Sequence, residues 1–276
     1  MHALPLAVTL ACAAALAPLL LRWLAANGHT RPNYRGRELP FPFGVLVPAA
    51  TLPALVVLVP LARHSPGEVF GFGLIPVVPY ALGVLVLGLI DDAFGSAQPA
   101  RGWRGHAAAV MRGELSTGVL KAVGSLGLAL LATGVYVPGD GRWLLAAAVL
   151  VLATNVFNLL DLRPGRSGKV FVLLGVGLTL GAWELRPLWD IGLFAGPALV
   201  ACAYDLRERA MLGDTGANLL GALAGLWLVL TVSETGQLIA LAVLAIVTVY
   251  GELRSISALV ERTPGLRELD SWGRPS

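Results

Sequence analysis

The chain has 276 residues, of which 56% are hydrophobic and 13% charged, and its mean hydropathy is +0.75. That is too little charge to clothe a water-soluble globule of this size, so lipid has to be part of the solvent. The net charge of +3 does not point to nucleic acid, because the basic residues stand in short segments between apolar runs, where they orient membrane helices.

A bilayer-spanning helix needs ~20 mainly apolar residues. Apolar runs between charged or Gly/Pro-rich breaks predict nine such helices, over residues 3–24, 41–62, 70–90, 117–137, 142–160, 169–185, 187–204, 215–232 and 235–251. The first follows Met1-His2-Ala3, which offers no basic n-region, and its apolar run is too long for a secretory signal, so it reads as a retained helix. Trp23, Trp143, Trp183 and Trp189 fall at predicted span ends, the headgroup level that indole rings favour. Gly177 with Gly181, and Gly221 with Gly225, form small-xxx-small pairs that predict close helix packing. Cys12 and Cys202 lie in or at the end of spans and read as small buried thiols, implying neither a disulfide nor a metal. No internal repeat is evident, which leaves an inverted-repeat transporter without direct support.

Orientation follows from the basic residues. With the N-terminus outside, the cytoplasmic segments are 22–40, 91–121, 161–169, 205–214 and 252–276, and these hold 17 of the 20 Lys and Arg. Only Arg63, Arg142 and Arg186 are left on the other side, so an N-out, C-in arrangement with an odd number of spans is expected. The expected fold class is an all-α polytopic membrane helix bundle of about nine helices. It comprises a transmembrane domain over 1–251 and a charged, partly amphipathic cytoplasmic tail over 252–276 that can lie at the membrane surface.

Twelve of the 17 acidic residues share the cytoplasmic side, and Asp91, Asp92, Asp161 and Asp214 abut long apolar helices. A carboxylate at a membrane boundary is costly unless it meets water, a cation or a partner, which marks these four as functional candidates. In LGLIDDAFG, Asp91 and Asp92 end the third helix; adjacent carboxylates repel, and a divalent cation or a shared proton relieves them, although a solvated helix end fits a bare pair as well. In NVFNLLDLRPGRSGK, Asn155, Asn158 and Asp161 are spaced to line one helix face that cannot look into lipid. Arg163, Arg166 and Lys169 follow, suited either to a phosphate or simply to positive-inside charge. In MLGDTGANLLGALAG, Asp214 opens the eighth helix, where it is either an N-cap or a metal ligand; Thr215, Gly216 and Asn218 would bring N–H and small polar groups to a phosphate.

These segments, in this order, resemble the polyprenyl-phosphate N-acetylhexosamine-1-phosphate transferases, the family of phospho-MurNAc-pentapeptide translocase and the GlcNAc-1-phosphate enzymes. The resemblance covers most of the chain and rests on Asp91-Asp92, the NxxNxxD of Asn155, Asn158 and Asp161, and the GDTGxxxLG from Gly213 to Gly221. It implies a bacterial inner-membrane enzyme that moves a sugar 1-phosphate from a UDP-sugar to undecaprenyl phosphate, releases UMP, depends on Mg²⁺ and allows a homodimer. By the same resemblance Asp91 or Asp92 would prepare the lipid phosphate, and Asp161 would be catalytic. Asp92, Asp214 and Asn158 would serve the metal, and Lys121 would stand near the lipid phosphate, a position that a snorkelling boundary lysine would also take. Asn155, Asn158, Arg163, Arg166 and Lys169 would bind substrate.

The chain departs from the family at two places. Pro164 stands where a second Asp commonly follows the residue matching Asp161, and the four histidines, His2, His29, His64 and His106, supply no histidine-rich motif after Asp214. Arg163 or Arg166 could then contact phosphate directly, in place of a metal contact. The rival reading is a member that binds a lipid phosphate or a partner without turnover.

Overall fold

The computed structural model describes residues 1–65, 67–71, 74–95, 111, 117–137 and 141–275; His106 lies outside them. The described chain is almost entirely helical. Its elements are α1 (Leu4–Ala26), a short hairpin of β1 (Thr30–Pro32) and β2 (Glu38–Pro40), α2 (Leu46–His64) entered through a 3-10 turn, α3 (Leu74–Phe94), α4 (Thr117–Tyr136) and α5 (Arg142–Leu160). They continue with α6 (Arg166–Ala182), α7 (Arg186–Leu206), α8 (Gly213–Thr231), α9 (Glu234–Leu253), α10 (Ile256–Arg262) and α11 (Pro264–Ser271). Eight of these helices are long and apolar enough to cross a membrane, and the chain is a multi-pass membrane protein. α6 has 17 residues, about 26 Å at the α-helical rise, and falls just short of that length.

Contacts sort the helix ends into two groups. At one end the Phe43 and Gly44 N–H groups donate to the carbonyls of Met211 and Leu212 at 2.8 and 3.0 Å, Gly165 N–H reaches Asp205, and Asp92 meets the start of α8. The ends of α3, α5 and α7 therefore gather with the starts of α2, α6 and α8. At the opposite end Arg142 pairs with Glu234 at 2.9 Å, and the Thr9 hydroxyl of α1 donates to the Gly192 carbonyl of α7 at 3.3 Å.

α8 runs through the middle. It packs on α3, α5, α6 and α7, and 83% of its apolar stretch is buried inside the protein, against 6% for α9. Small residues make this possible: a Cβ on Gly88 would collide with the Asp214 carbonyl, one on Gly44 with the Gly216 backbone, and one on Gly221 with Thr154 Cα. Backbones thus approach with no side chain between them, which is how membrane helices gain dispersion energy. Gly221 and Gly225 lie against α5 as their spacing predicts. Gly177 and Gly181 do not pack closely, since nothing lies within 4 Å of a Cβ at either. Val172, Val176 and Leu180 are exposed on the same helix, so this stretch of α6 turns toward lipid rather than to a neighbour.

The segment 22–40, expected only as a loop, folds back as the antiparallel hairpin, with Thr30 opposite Pro40. Glu208 anchors it. This residue has a left-handed φ of 50° and a buried side chain that accepts from the Asn33 amide and the Tyr34 hydroxyl at 3.3 and 3.2 Å. Arg35 and Arg37 stand 3.6 and 3.7 Å from the same carboxylate, and Met211 N–H closes the hairpin onto Pro40 O at 3.0 Å.

Candidate functional site

Three helices bring the acidic and basic residues of the site together. Asp91 and Asp92 sit in the last turn of α3, Lys121 in the first turns of α4, and Asp214 in the first turn of α8. Lys121 Nζ donates to Asp91 Oδ2 at 3.0 Å and also to Asp214 Oδ2. The Asp214 carboxylate and the Thr117 hydroxyl both act on Asp91. Lys121, Asp91 and Asp214 keep side-chain exposures of 21, 19 and 30%, so the group is open to solvent at this end. A shared ammonium is what allows two carboxylates to stand side by side at a membrane boundary.

Asp92 has a different job. Its Oδ1 accepts the Asp214 N–H at 2.9 Å, and its Oδ2 accepts the Thr215 N–H at 2.8 Å and the Thr215 hydroxyl at 2.6 Å. Those donors are the otherwise unsatisfied N–H groups of a helix start, and a carboxylate there also meets the positive end of the helix dipole. Asp214 stands inside the first turn of α8 rather than at its N-cap, which is Leu212 and offers no side-chain cap bond; Asp92 caps the helix from α3 instead. Arg31 of the hairpin donates to the Asp92 carbonyl at 2.6 Å and stacks over the Phe41 ring at 4.1 Å.

Asp161 follows α5 and is the fourth acid of the neighbourhood. It accepts from the Ser167 hydroxyl at 3.3 Å. Burial, followed by the nearby charges of Asp205 and Asp214, pushes its carboxyl well above the usual carboxylate range. Asp205 holds the turn around it, accepting the Gly165 N–H at 2.6 Å. Asn158 lies in the last turn of α5, half-buried, whereas Asn155 turns to α9 and donates to the Thr248 hydroxyl at 3.3 Å. One turn inside Asp214, Asn218 is 1% exposed, and neither atom of its amide has a hydrogen-bond partner among the described residues.

The basic trio expected at a phosphate faces the tail. Arg163 pairs with Glu261 at 3.0 Å and lies over the Tyr34 ring. Arg166, 4% exposed, forks onto both oxygens of Asp270 at 2.8 and 3.0 Å and bonds the Ser257 hydroxyl at 3.1 Å. Lys169 donates to the Leu269 and Asp270 carbonyls. Arg274 completes the joint through the Pro164 carbonyl at 2.7 Å and Asp270 at 2.8 Å.

Four side chains that shape this neighbourhood escaped sequence reasoning. Arg31, Asp205, Glu208 and Thr117 carried no motif; the one available signal was a charged residue beside an apolar run, shared by many that are merely solvated. For a divalent cation the fitting donors are Asp91 and Asp214, because Mg²⁺ takes one or two carboxylates plus substrate phosphates rather than a full protein cage. The described residues contain no group of three or more His, Cys, Asp or Glu placed to hold a metal ion. Asp92 could join such a site only by uncapping α8. No protein-family model matches the chain, and no curated protein matches it in sequence.

Proposed function

We propose that the chain is a Mg²⁺-dependent phosphoglycosyl transferase of the bacterial cytoplasmic membrane, with nine spans, the N-terminus outside and the site facing the cytoplasm. It would move a sugar 1-phosphate, N-acetylhexosamine 1-phosphate in our reading, from a UDP-sugar to undecaprenyl phosphate, releasing UMP and starting a lipid-linked cell-envelope glycan. One observation carries the reading: Asp91, Lys121 and Asp214, from three helices far apart in sequence, converge with partial exposure at one end of an apolar bundle. A water-soluble sugar nucleotide and a membrane-dissolved phosphate can meet only at such a boundary.

In this reading Asp91 takes the proton of the lipid monophosphate, whose oxygen then attacks the sugar-bearing phosphorus while the bond to the UMP phosphate breaks. Lys121 balances the charge of Asp91 and Asp214 and would pass its contact to a phosphate oxygen when substrate and Mg²⁺ bind. Mg²⁺ bound by Asp214 and Asp91 would neutralise charge on the diphosphate, since phosphoryl transfer relies mainly on positioning and charge stabilisation. Asp92 keeps the start of α8, and so Asp214, in register.

The test is UMP release by the purified protein with undecaprenyl phosphate, Mg²⁺ and a panel of UDP-sugars. Release that disappears in both Asp91→Asn and Asp214→Asn is the expected result. No release from folded wild-type protein with any donor would favour the second reading, a family member that binds polyprenyl phosphate without turnover. That reading has its own support in the engagement of Arg163, Arg166 and Lys169 by the tail.

A further inference from the structure

A crevice of about 380 Å³ runs between α6, α9 and the tail helices, on the flank of the bundle away from Lys121. Its walls are almost wholly apolar: Val170 and Leu173 from α6, Ile246 and Tyr250 from α9, Leu259 and Leu269 from α10 and α11. Leu173 and Ile246 are 52 and 68% exposed, so the crevice opens sideways toward lipid. α5 packs between α4, which carries Lys121, and α9, and this separates the crevice from the carboxylate group.

The polar end of the crevice is charged out of balance. Arg166, Lys169 and Asp270 line it, and the charged groups acting on Lys169 are Arg274, Asp270 and Arg166. Asp270 is the carboxylate these three cations have in common, and buried Asp205 acts on Arg274 as well, which leaves a surplus of one positive charge at the mouth of an apolar slot. Asp270 already receives Arg166 and Arg274, while Lys169 donates to two backbone carbonyls, which do not neutralise it.

We infer that this crevice binds one anionic phospholipid, its headgroup phosphate against Lys169 and Arg274 and an acyl chain along Leu173, Ile246 and Tyr250. Charge complementarity selects the headgroup, and the lateral opening selects a ligand that arrives within the bilayer. Such a lipid would clamp α10 and α11 onto α6 and α9. The inference does not depend on the transfer reaction.

Native mass spectrometry of the full-length protein, titrated with phosphatidylglycerol or with phosphatidylcholine of the same chains, tests it. The wild type is expected to retain one phosphatidylglycerol with about tenfold preference over phosphatidylcholine. Lys169→Gln/Arg274→Gln should erase that preference, whereas Arg63→Gln/Arg142→Gln, which removes the same charge elsewhere, should leave it. Leu173→Trp, at an exposed lining position and without a charge change, should cut phosphatidylglycerol retention by filling the mouth. Equal retention of both lipids, or undiminished preference in the Lys169 and Arg274 variant, would overturn the assignment. Displacement by inorganic phosphate would reduce the site to a free-anion site, and binding of undecaprenyl phosphate with phosphatidylglycerol excluded would make it a carrier site; either overturns it too.

Discussion

Asp91 and Asp92 are neighbours in the chain, yet their side chains leave α3 about 100° apart and meet different partners. Asp91 points to Lys121 at the open end, and Asp92, 7% exposed, receives three donors from α8. Each hydrogen bond to an ionised group contributes about 1.5–3 kcal/mol. Asp92→Asn should therefore lower the thermal midpoint clearly, by a loss of about 2 kcal/mol or more, while Asp91→Asn should abolish UMP release with little change in the midpoint. Thermal unfolding run beside the activity assay separates the two; equal destabilisation would remove the distinction between a capping and a reacting carboxylate. Asp161 gives a pH signature. Its carboxyl is raised in the folded protein, whereas in the unfolded chain it ionises near pH ~4. As pH rises from there through the folded value, the unfolded state gains charge first and stability falls. Asp161→Asn cannot ionise, so in chelator its thermal midpoint should exceed that of the wild type at pH 7.5, with the gap closing toward pH 4. A gap that is constant with pH would mean that Asp161 is not held in its neutral form.

At the level of helices, the glycines decide which contacts are close. Gly88→Ala would drive a methyl into the Asp214 carbonyl, and overpacking of this kind costs about 1–3 kcal/mol. Because it parts α3 from α8 where Asp91, Asp92 and Asp214 meet, both the thermal midpoint and UMP release should drop. Gly181→Ala, with open space around it, should change neither. An identical response of the two variants would show that the α3–α8 approach does not set the site. The helices themselves were readable from apolar run length: α5 spans Arg142–Leu160 as expected, and the other long helices differ by a few residues at their ends. So was the gathering of Asp91, Lys121 and Asp214 at one boundary, because charge cannot stay in the lipid core. The cap that Asp92 places on α8 was not readable, since one Asp of an adjacent pair looks like the other until the helix rotation is known. Nor was the docking of the tail on Arg163, Arg166 and Lys169, as a cation after a span has the same appearance whether it awaits a phosphate or a carboxylate about 100 residues away in the chain. Gly177 and Gly181 misled for a related reason: spacing tells which face is small, not what lies opposite.

For the whole molecule the informative measurement is sidedness. In a background with Cys12 and Cys202 replaced, Trp183→Cys and Trp272→Cys probe the two ends of the bundle at positions 86 and 74% exposed. A membrane-impermeant thiol reagent applied to intact cells should label position 183, and position 272 only after permeabilisation, if basic residues set the orientation. The reverse pattern would turn the site away from the pool of sugar nucleotides and remove the transferase reading.

The same architecture bears on how the chain enters the membrane. α8 is the most enclosed of the candidate spans and also the least apolar, because close approach to its neighbours favours Gly, Ala and Thr over Leu and Val. A segment of that composition partitions less readily into lipid by itself than the other candidate spans. α3 and α5, which emerge from the ribosome earlier, present the faces it fits, and its insertion is expected to lean on them. Placed alone in an insertion reporter, Gly213–Thr231 should integrate far less often than Leu4–Ala26. The helix that carries Asp214 is thus a late guest of the helices that hold Asp91 and Asn158, and biogenesis and chemistry constrain the same few residues.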